Sequence, residues 1–206
     1  MAKQYVYEIG GKLYANLTNR CSNACTFCVR NYDVDRRKPH GYEGYDLWLD
    51  KEPSADEVID ALCGYDLADY KELVFCGYGE PTYRFDVLEE VAAFAHSKGL
   101  RTRINTNGQA NAILGVDVSE RMCRAIDVIG ISLNQVTPEK YDAICHSIFG
   151  KKAFDIMLDF ARACVSHGGN VVFSVVDCIG KDDVEKAEEI AKSVGAKLRV
   201  REMIDE

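Results

Sequence analysis

The chain has 206 residues, a hydrophobic fraction of 47% and a formal net charge of −8. This length suits one ordinary domain with a substantial core, and we expect a single domain over residues 1–206. The acidic balance argues against a protein that coats nucleic acid, and no apolar run approaches the length of a membrane span. Because no hydrophobic signal segment follows Met1, the sequence predicts a cytoplasmic protein with reduced thiols.

Short β-rich segments alternate with amphipathic helical segments along the chain. In chain order, the predicted strands are KLYANLT (12–18), ELVFC (72–76), RTRINT (101–106), VIGISLN (128–134), NVVFSVV (170–176) and KLRVR (197–201). Between them, a capping box from Ser54 to Glu57 predicts one helix start, and Thr137 before a proline predicts another. A weaker box from Asp182 to Glu185 predicts a third. Strands that alternate with helices in this way predict an α/β fold with a parallel sheet.

Three cysteines fall within eight residues in the stretch CSNACTFC, at positions 21, 25 and 28. Packing alone explains such a cluster poorly, whereas the other cysteines are scattered without ligand spacing. Two kinds of metal centre remain open. A structural zinc site could recruit His40 as its fourth ligand. An iron–sulfur cluster held by three thiolates would instead leave one iron open to an exogenous ligand.

A glycine-rich turn, GYGEP, follows the second predicted strand at residues 77–81. Gly77 and Gly79 would let the backbone approach a ligand closely. Glu80 offers a carboxylate to an ammonium group, and Pro81 fixes the exit of the turn. By itself the turn is ordinary. Its place, at the carboxyl end of a strand next to the cysteine-bearing one, is where open α/β sheets and barrels bind ligands.

These motifs together resemble those of the radical S-adenosylmethionine (radical SAM) superfamily. CSNACTFC has the CxxxCxxC form of that superfamily, with Phe27 at the usual aromatic position before the last cysteine. GYGEP is similar to its GGEP motif, with Tyr78 in place of a glycine. NTNG, residues 105–108, resembles a recurrent sequence at the end of the third strand. The resemblance extends over nearly the whole chain and implies a partial (β/α)6 TIM-like barrel.

The resemblance also implies cofactors and a reaction. Cys21, Cys25 and Cys28 would bind a [4Fe–4S] cluster, and the amino and carboxylate groups of S-adenosylmethionine would chelate the open iron. Reductive cleavage of this cofactor would give a 5′-deoxyadenosyl radical that takes hydrogen from a small or medium-sized substrate. The residues implied in holding S-adenosylmethionine are Phe27, Gly77, Tyr78, Gly79, Glu80, Pro81, Asn105, Ser132, Asn134 and Met203. Asp177, Arg201 and Glu202 follow later strands and are candidates for substrate contact, although surface salt bridging is the commoner role.

Longer stretches resemble a narrower group, the TatD-associated radical SAM proteins. They are KLYANLTNRCSNACTFCVRN, GYDLWLDKEPSADEVIDAL and ELVFCGYGEPTYR. This resemblance implies a functional link to a TatD-type hydrolase, and the superfamily implies an external one-electron donor such as flavodoxin or ferredoxin. An iron–sulfur scaffold or electron-transfer protein and a zinc-binding interaction module are the alternative functions.

An aromatic loop, GYEGYDLWL, spans Gly41–Leu49 and contains Tyr42, Tyr45 and Trp48. The favoured interpretation is a hydrophobic lid packed on the barrel, since exposed aromatic patches are uncommon unless they are functional. The alternative is a substrate-side loop that offers stacking surfaces and hydroxyl groups near the cluster.

Overall fold

The computed structural model describes residues 4–31 and 45–202. Its centre is a seven-stranded sheet whose spatial order, β1 to β7, follows the chain. The strands are β1 Val6–Ile9, β2 Lys12–Ala15, β3 Glu72–Phe75, β4 Arg101–Thr106, β5 Val128–Ser132, β6 Val171–Val176 and β7 Lys197–Arg201. The helices are α1 Ala55–Leu62, α2 Phe85–Ser97, α3 Ala110–Leu114, α4 Ser119–Ala125, α5 Pro138–Cys145, α6 Lys152–Ser166 and α7 Lys181–Val194. No helix within the two described ranges is long and apolar enough to cross a membrane.

The sheet is parallel from β2 to β7, which confirms the predicted α/β class. One strand was not predicted. β1 pairs antiparallel with β2 across the turn at Gly10 and Gly11, so the sheet has one more strand than the sequence patterns indicate. The sheet does not close, since β1 and β7 form its two edges. An open sheet of this order is a partial barrel, as the resemblance implies.

The two faces of the sheet differ in what covers them. Alternate strand residues such as Leu13, Phe75, Ile104 and Phe173 are buried in one core together with apolar residues of the helices. Right-handed crossovers between successive parallel strands place all connecting helices on that face. We call the opposite face of the sheet the inner face. Its in-register residues in β2–β7 are Lys12, Tyr14, Glu72, Val74, Arg101, Arg103, Asn105, Val128, Gly130, Ser132, Val172, Ser174, Val176, Lys197, Arg199 and Arg201.

The helix starts follow the predicted caps in two cases of three. Ser54 and Glu57 form a reciprocal capping box before α1, and Thr137 accepts a hydrogen bond from the Lys140 amide before α5. The predicted box at Asp182 is wrong. α7 begins earlier, at Lys181, behind Gly180, and no side chain caps it.

Candidate functional site

Every predicted site motif within the described residues lies at the carboxyl end of a parallel strand. The cysteine loop follows β2, GYGEP follows β3, NTNG ends β4, and SLN ends β5. Because β2, β3, β4 and β5 are neighbours in the sheet, these segments meet at one edge of the partial barrel. Open α/β sheets bind ligands at this edge.

The cysteine loop, residues 21–28, is attached to the end of α5 by backbone hydrogen bonds. The amides of Ala24 and Thr26 donate to the carbonyl oxygens of Cys145 and Ile144, each at 2.9 Å. These bonds satisfy backbone groups in a segment that has no regular secondary structure. The conformation of the loop is therefore set by α5 as well as by its own sequence.

The three thiols of the loop are half-buried. Burial, with a contribution from the charge of Glu80, raises the pKa of Cys21 to about 12. Burial also raises the pKa of Cys28, and a hydrogen bond with the thiol of Cys145 is the main cause of the raised pKa of Cys25. The metal-free thiols are therefore protonated at neutral pH. Since iron binds the thiolate form, binding must release protons, and the affinity of the loop for iron should rise with pH.

The arrangement of the thiols bears on the choice between zinc and an iron–sulfur cluster. Within residues 4–31 and 45–202, no three His, Cys, Asp or Glu side chains are arranged to hold a single metal ion. Structural zinc needs four ligands around one point. In a four-iron cluster each thiolate binds a different iron, so the sulfur atoms must surround one cluster but need not meet at a single ion. His40, the candidate fourth zinc ligand, lies outside the described residues.

Gly79 lies against the chain that leads into the cysteine loop. A Cβ atom at this position would stand 2.2 Å from the Thr18 carbonyl oxygen and 2.7 Å from that of Arg20. Both contacts are with backbone, which cannot swing away as a side chain can. The next amide, that of Glu80, donates to the Arg20 carbonyl at 2.7 Å. Because Gly79 has no side chain, the GYGEP turn can pack directly against Thr18 and Arg20, which lead into the cysteine loop.

Gly77 forms a second close contact, with the side chain of Asn16. A Cβ atom at Gly77 would stand 2.1 Å from the Asn16 Oδ1. Asn16 donates through Nδ2 to the Leu47 carbonyl at 2.7 Å, whereas its buried Oδ1 has no hydrogen-bond partner among the described residues. A buried acceptor without a donor is costly. This unpartnered acceptor lies beside Gly77, the first residue of the GYGEP turn.

The Glu80 carboxylate joins two strand ends. Its Oε1 accepts hydrogen bonds from the Thr82 amide, the Thr82 hydroxyl and the Thr106 hydroxyl, and its Oε2 accepts from the Asn107 amide at 2.7 Å. Glu80 is buried, and burial raises its pKa against the lowering effect of these bonds. Most of its accepting capacity is therefore used within the protein. Pro81, also buried, begins the short 3-10 turn that follows.

Gln109 is the hub of a buried polar network that the sequence did not reveal. Its Oε1 accepts from the hydroxyls of Ser22, at 2.8 Å, and Ser147, at 3.0 Å. Its Nε2 lies 2.9 Å from the Asn23 Oδ1 and 3.1 Å from the Tyr141 hydroxyl. All five residues are buried. The network connects the end of β4 to the cysteine loop and to α5.

Replacing Gln109 with leucine should therefore destabilise the metal-free protein strongly. The change would leave several buried groups without partners, at a cost of about 1–3 kcal/mol for each one that cannot find another. Gln135→Leu is the matched control, because Gln135 has a buried Oε1 that already lacks a hydrogen-bond partner. Urea unfolding of both variants measures the free energy of unfolding that each has lost relative to the wild type. Equal losses in the two variants would show that the network does not hold the loop.

The side chain of Tyr78 lies in a small aromatic cluster beside the inner face. Tyr78, Tyr7 and Leu47 are buried there, with Trp48 packed against them. The Trp48 and Tyr78 rings meet edge to face, with centroids 5.2 Å apart. This contact favours packing as the role of Trp48. Tyr42, which belongs to the same aromatic loop, lies outside the described residues.

The remaining predicted site residues are distributed around the same edge. Asn105 and Ser132 lie on the inner face at the ends of β4 and β5. Asn134 adopts a left-handed backbone, with φ of 59°, and directs its Nδ2 to the sulfur of Cys145 at 3.4 Å. Phe27 is 43% exposed between the second and third cysteines. Met203 lies outside the described residues.

Comparisons with known proteins agree with this geometry. The chain is 29% identical over 159 residues to an Fe-coproporphyrin III synthase of Methanosarcina barkeri. The aligned region covers 74% of this chain and 33% of that relative. The chain thus spans about a third of the length of this curated relative.

Two solved structures share the fold. A structure of TYW1 with a lysine–pyruvate adduct bound has a TM-score of 0.66 at 14% identity, covering 95% of this chain and 65% of that one. The crystal structure of Streptococcus suis SuiB bound to S-adenosylmethionine has a TM-score of 0.66 at 15% identity, covering 93% of this chain and 38% of that one.

The family model for the radical SAM superfamily matches residues 15–194, a range that includes every strand from β3 to β6 and the whole cysteine loop. Membership in this superfamily implies an enzyme with a [4Fe–4S] cluster and S-adenosylmethionine as its cofactors. The match covers most of the sequence, and the chain belongs to the radical SAM superfamily.

Proposed function

We propose that Cys21, Cys25 and Cys28 bind a [4Fe–4S] cluster with one open iron, and that S-adenosylmethionine occupies this iron. Its 5′-deoxyadenosyl group, once released as a radical, would abstract hydrogen from an unidentified substrate. The observation that carries the proposal is the close packing of Gly79 on Thr18 and Arg20, which lead directly into the cysteine loop, at a point where no side chain fits. This contact supports a shared site for cluster and cofactor.

The residues present fit both cofactors. Three thiols on one loop supply ligands for three irons and leave the fourth open. Asn16 offers a buried acceptor without a donor beside Gly77. An ammonium group such as that of S-adenosylmethionine is a suitable donor.

A [4Fe–4S] cluster held by Cys21, Cys25 and Cys28 would supply the electron for reductive cleavage of the S–C5′ bond of S-adenosylmethionine. The protein's own contribution is to bind, orient and exclude water. Glu80 fixes the GYGEP turn to the end of β4 through Thr106 and Asn107, so the backbone of the turn is held rigid for the cofactor. We propose that the other contacts to S-adenosylmethionine come from Phe27, Tyr78, Pro81, Asn105, Ser132, Asn134 and Met203.

The proposal also includes a subgroup, a cellular location and partners, which superfamily membership alone does not specify. We propose that the chain is a single radical SAM core domain of the TatD-associated group, acting in the cytoplasm, where reduced thiols persist. The motif stretches around the cysteines and GYGEP support this assignment. The enzyme would take electrons from a donor such as flavodoxin or ferredoxin and act in connection with a TatD-type hydrolase.

The test is cofactor cleavage by reconstituted, dithionite-reduced protein. We expect slow formation of 5′-deoxyadenosine and methionine even without substrate, because the open iron makes S-adenosylmethionine a ligand whether or not substrate is present. Liquid chromatography with mass detection measures both products. Absence of 5′-deoxyadenosine from a sample with full iron and sulfide content would favour an iron–sulfur scaffold or electron-transfer protein instead.

A further inference from the structure

The inner face of the sheet is basic, although the chain as a whole carries a net charge of −8. The basic residues on this face in the described strands are Lys12, Arg101, Arg103, Lys197, Arg199 and Arg201. Glu72 is the single acidic residue there among the strands that the structure describes. An acidic protein that concentrates positive charge on its concave face focuses anions towards that face.

Part of this charge is neutralised within the protein and part is not. Lys12 and Arg103 share the carboxylate of Glu72, at 2.8 Å and 4.0 Å. On β7, Arg199 and Arg201 have no ion-pair partner within the described ranges, and both are exposed. Their charges are available to a ligand.

Register places hydroxyl groups beside these guanidinium groups. Ser132 pairs with Ser174, and Ser174 pairs with Arg199, so the three side chains form one row across β5, β6 and β7. Neighbouring strands are about 4.8 Å apart, which suits a group whose oxygen atoms accept from two adjacent strands. Hydroxyl and guanidinium donors in one row are complementary to a carboxylate or a phosphate.

Arg201 also acts across the sheet. It is the last residue of β7, next to Val176 in register. Its positive charge is among the causes that lower the pKa of Cys76, against burial, which raises it. The register of β7 with β6 places Arg201 on the inner face.

We propose that Arg199 and Arg201, with the hydroxyl of Ser174, bind an oxyanion group of the substrate, a carboxylate or a phosphate. This rests on the proposed function, which places substrate at the carboxyl ends of the strands. The group bound here is separate from the carboxylate of S-adenosylmethionine, because that carboxylate must stay at the iron held by the loop after β2. The substrate class is therefore an anionic molecule.

The test is anion binding by cluster-loaded, unreduced protein saturated with S-adenosylmethionine. Inorganic phosphate and succinate are titrated separately by calorimetry, to distinguish a phosphate from a carboxylate site. We expect at least one of these two anions to bind. The double variant Arg199→Gln, Arg201→Gln should raise the dissociation constant of that anion about tenfold, because it loses at least one charge-assisted contact. Arg162→Gln, which removes an exposed arginine on α6 (side chain 52% exposed), should leave it unchanged.

The double lysine variant, Arg199→Lys with Arg201→Lys, keeps the positive charge but loses the bidentate geometry of arginine. Its affinity for the anion should lie between that of the wild type and that of the double glutamine variant. The proposal is overturned if the wild type binds neither anion or if the glutamine variant binds as well as the wild type. It is also overturned if the variants weaken S-adenosylmethionine binding instead, since the arginines would then serve the cofactor. Because no reduction is involved, a failure of cofactor cleavage with anion binding intact would count against the proposed function alone.

Discussion

Replacing Cys21, Cys25 or Cys28 with serine is expected to abolish the four-iron cluster in each case. The three thiols lie on one loop that α5 fixes through backbone hydrogen bonds, and each is expected to bind a different iron, so each substitution removes one ligand of the cluster. Iron and acid-labile sulfide after anaerobic reconstitution should fall from about four of each per chain to near zero. The absorbance of the brown protein should fall with them.

The matched controls are Cys63→Ser and Cys164→Ser. Cys63 is exposed after α1, and Cys164 is buried on α6 in the helix-side core. Both variants should retain full iron and the spectrum of the reduced cluster. A Cys28→Ser protein with wild-type iron content would remove the loop from its assigned role.

The second large effect is expected for Gly79→Ala. The added methyl group would lie 2.2 Å from the Thr18 carbonyl oxygen, so either the GYGEP turn or the segment leading to the cysteines must move. Overpacking against backbone should cost about 3 kcal/mol of unfolding free energy or more. It should also separate the cluster ligands from the turn, and reconstituted protein should hold less iron.

Gly64→Ala serves as the comparison, since a Cβ atom there meets the Ala61 carbonyl only at 3.2 Å. Its unfolding free energy should change by less than about 1 kcal/mol. Urea unfolding and iron content together decide the outcome. If Gly79→Ala were as stable as Gly64→Ala and bound iron fully, the contact at Gly79 would not be what joins the two motifs.

The parallel strands and the site motifs could be predicted because their signals are local. The β-rich segment RTRINT coincides with β4, and the capping box at Ser54 begins α1 as its spacing predicts. Parallel strands in chain order then bring the loops after β2, β3, β4 and β5 to one edge. The local sequence patterns were therefore sufficient to predict that the cysteine loop and GYGEP lie at the same edge of the sheet.

Other features depend on long-range contacts, and their signals are absent from the local sequence. Gln109 bonds with Ser22 across 87 positions of the chain, and a polar residue in a loop is ordinarily expected to face water. The expectation that Glu80 meets an ammonium group rests on its carboxylate, yet that carboxylate is used by Thr82, Thr106 and Asn107. β1 pairs antiparallel with β2 across the turn at Gly10 and Gly11, so it stands outside the alternation of strands and helices on which the other strands were predicted.

The most direct measurement is electron paramagnetic resonance of the reduced, reconstituted protein with and without S-adenosylmethionine. If Cys21, Cys25 and Cys28 leave one iron open, the cofactor must bind that iron, and the g values of the reduced cluster should shift when it is added. The same addition to the Cys28→Ser protein should give no cluster signal to shift. A four-iron signal in the wild type that stays unchanged at saturating S-adenosylmethionine would contradict the assignment of an open iron to this site.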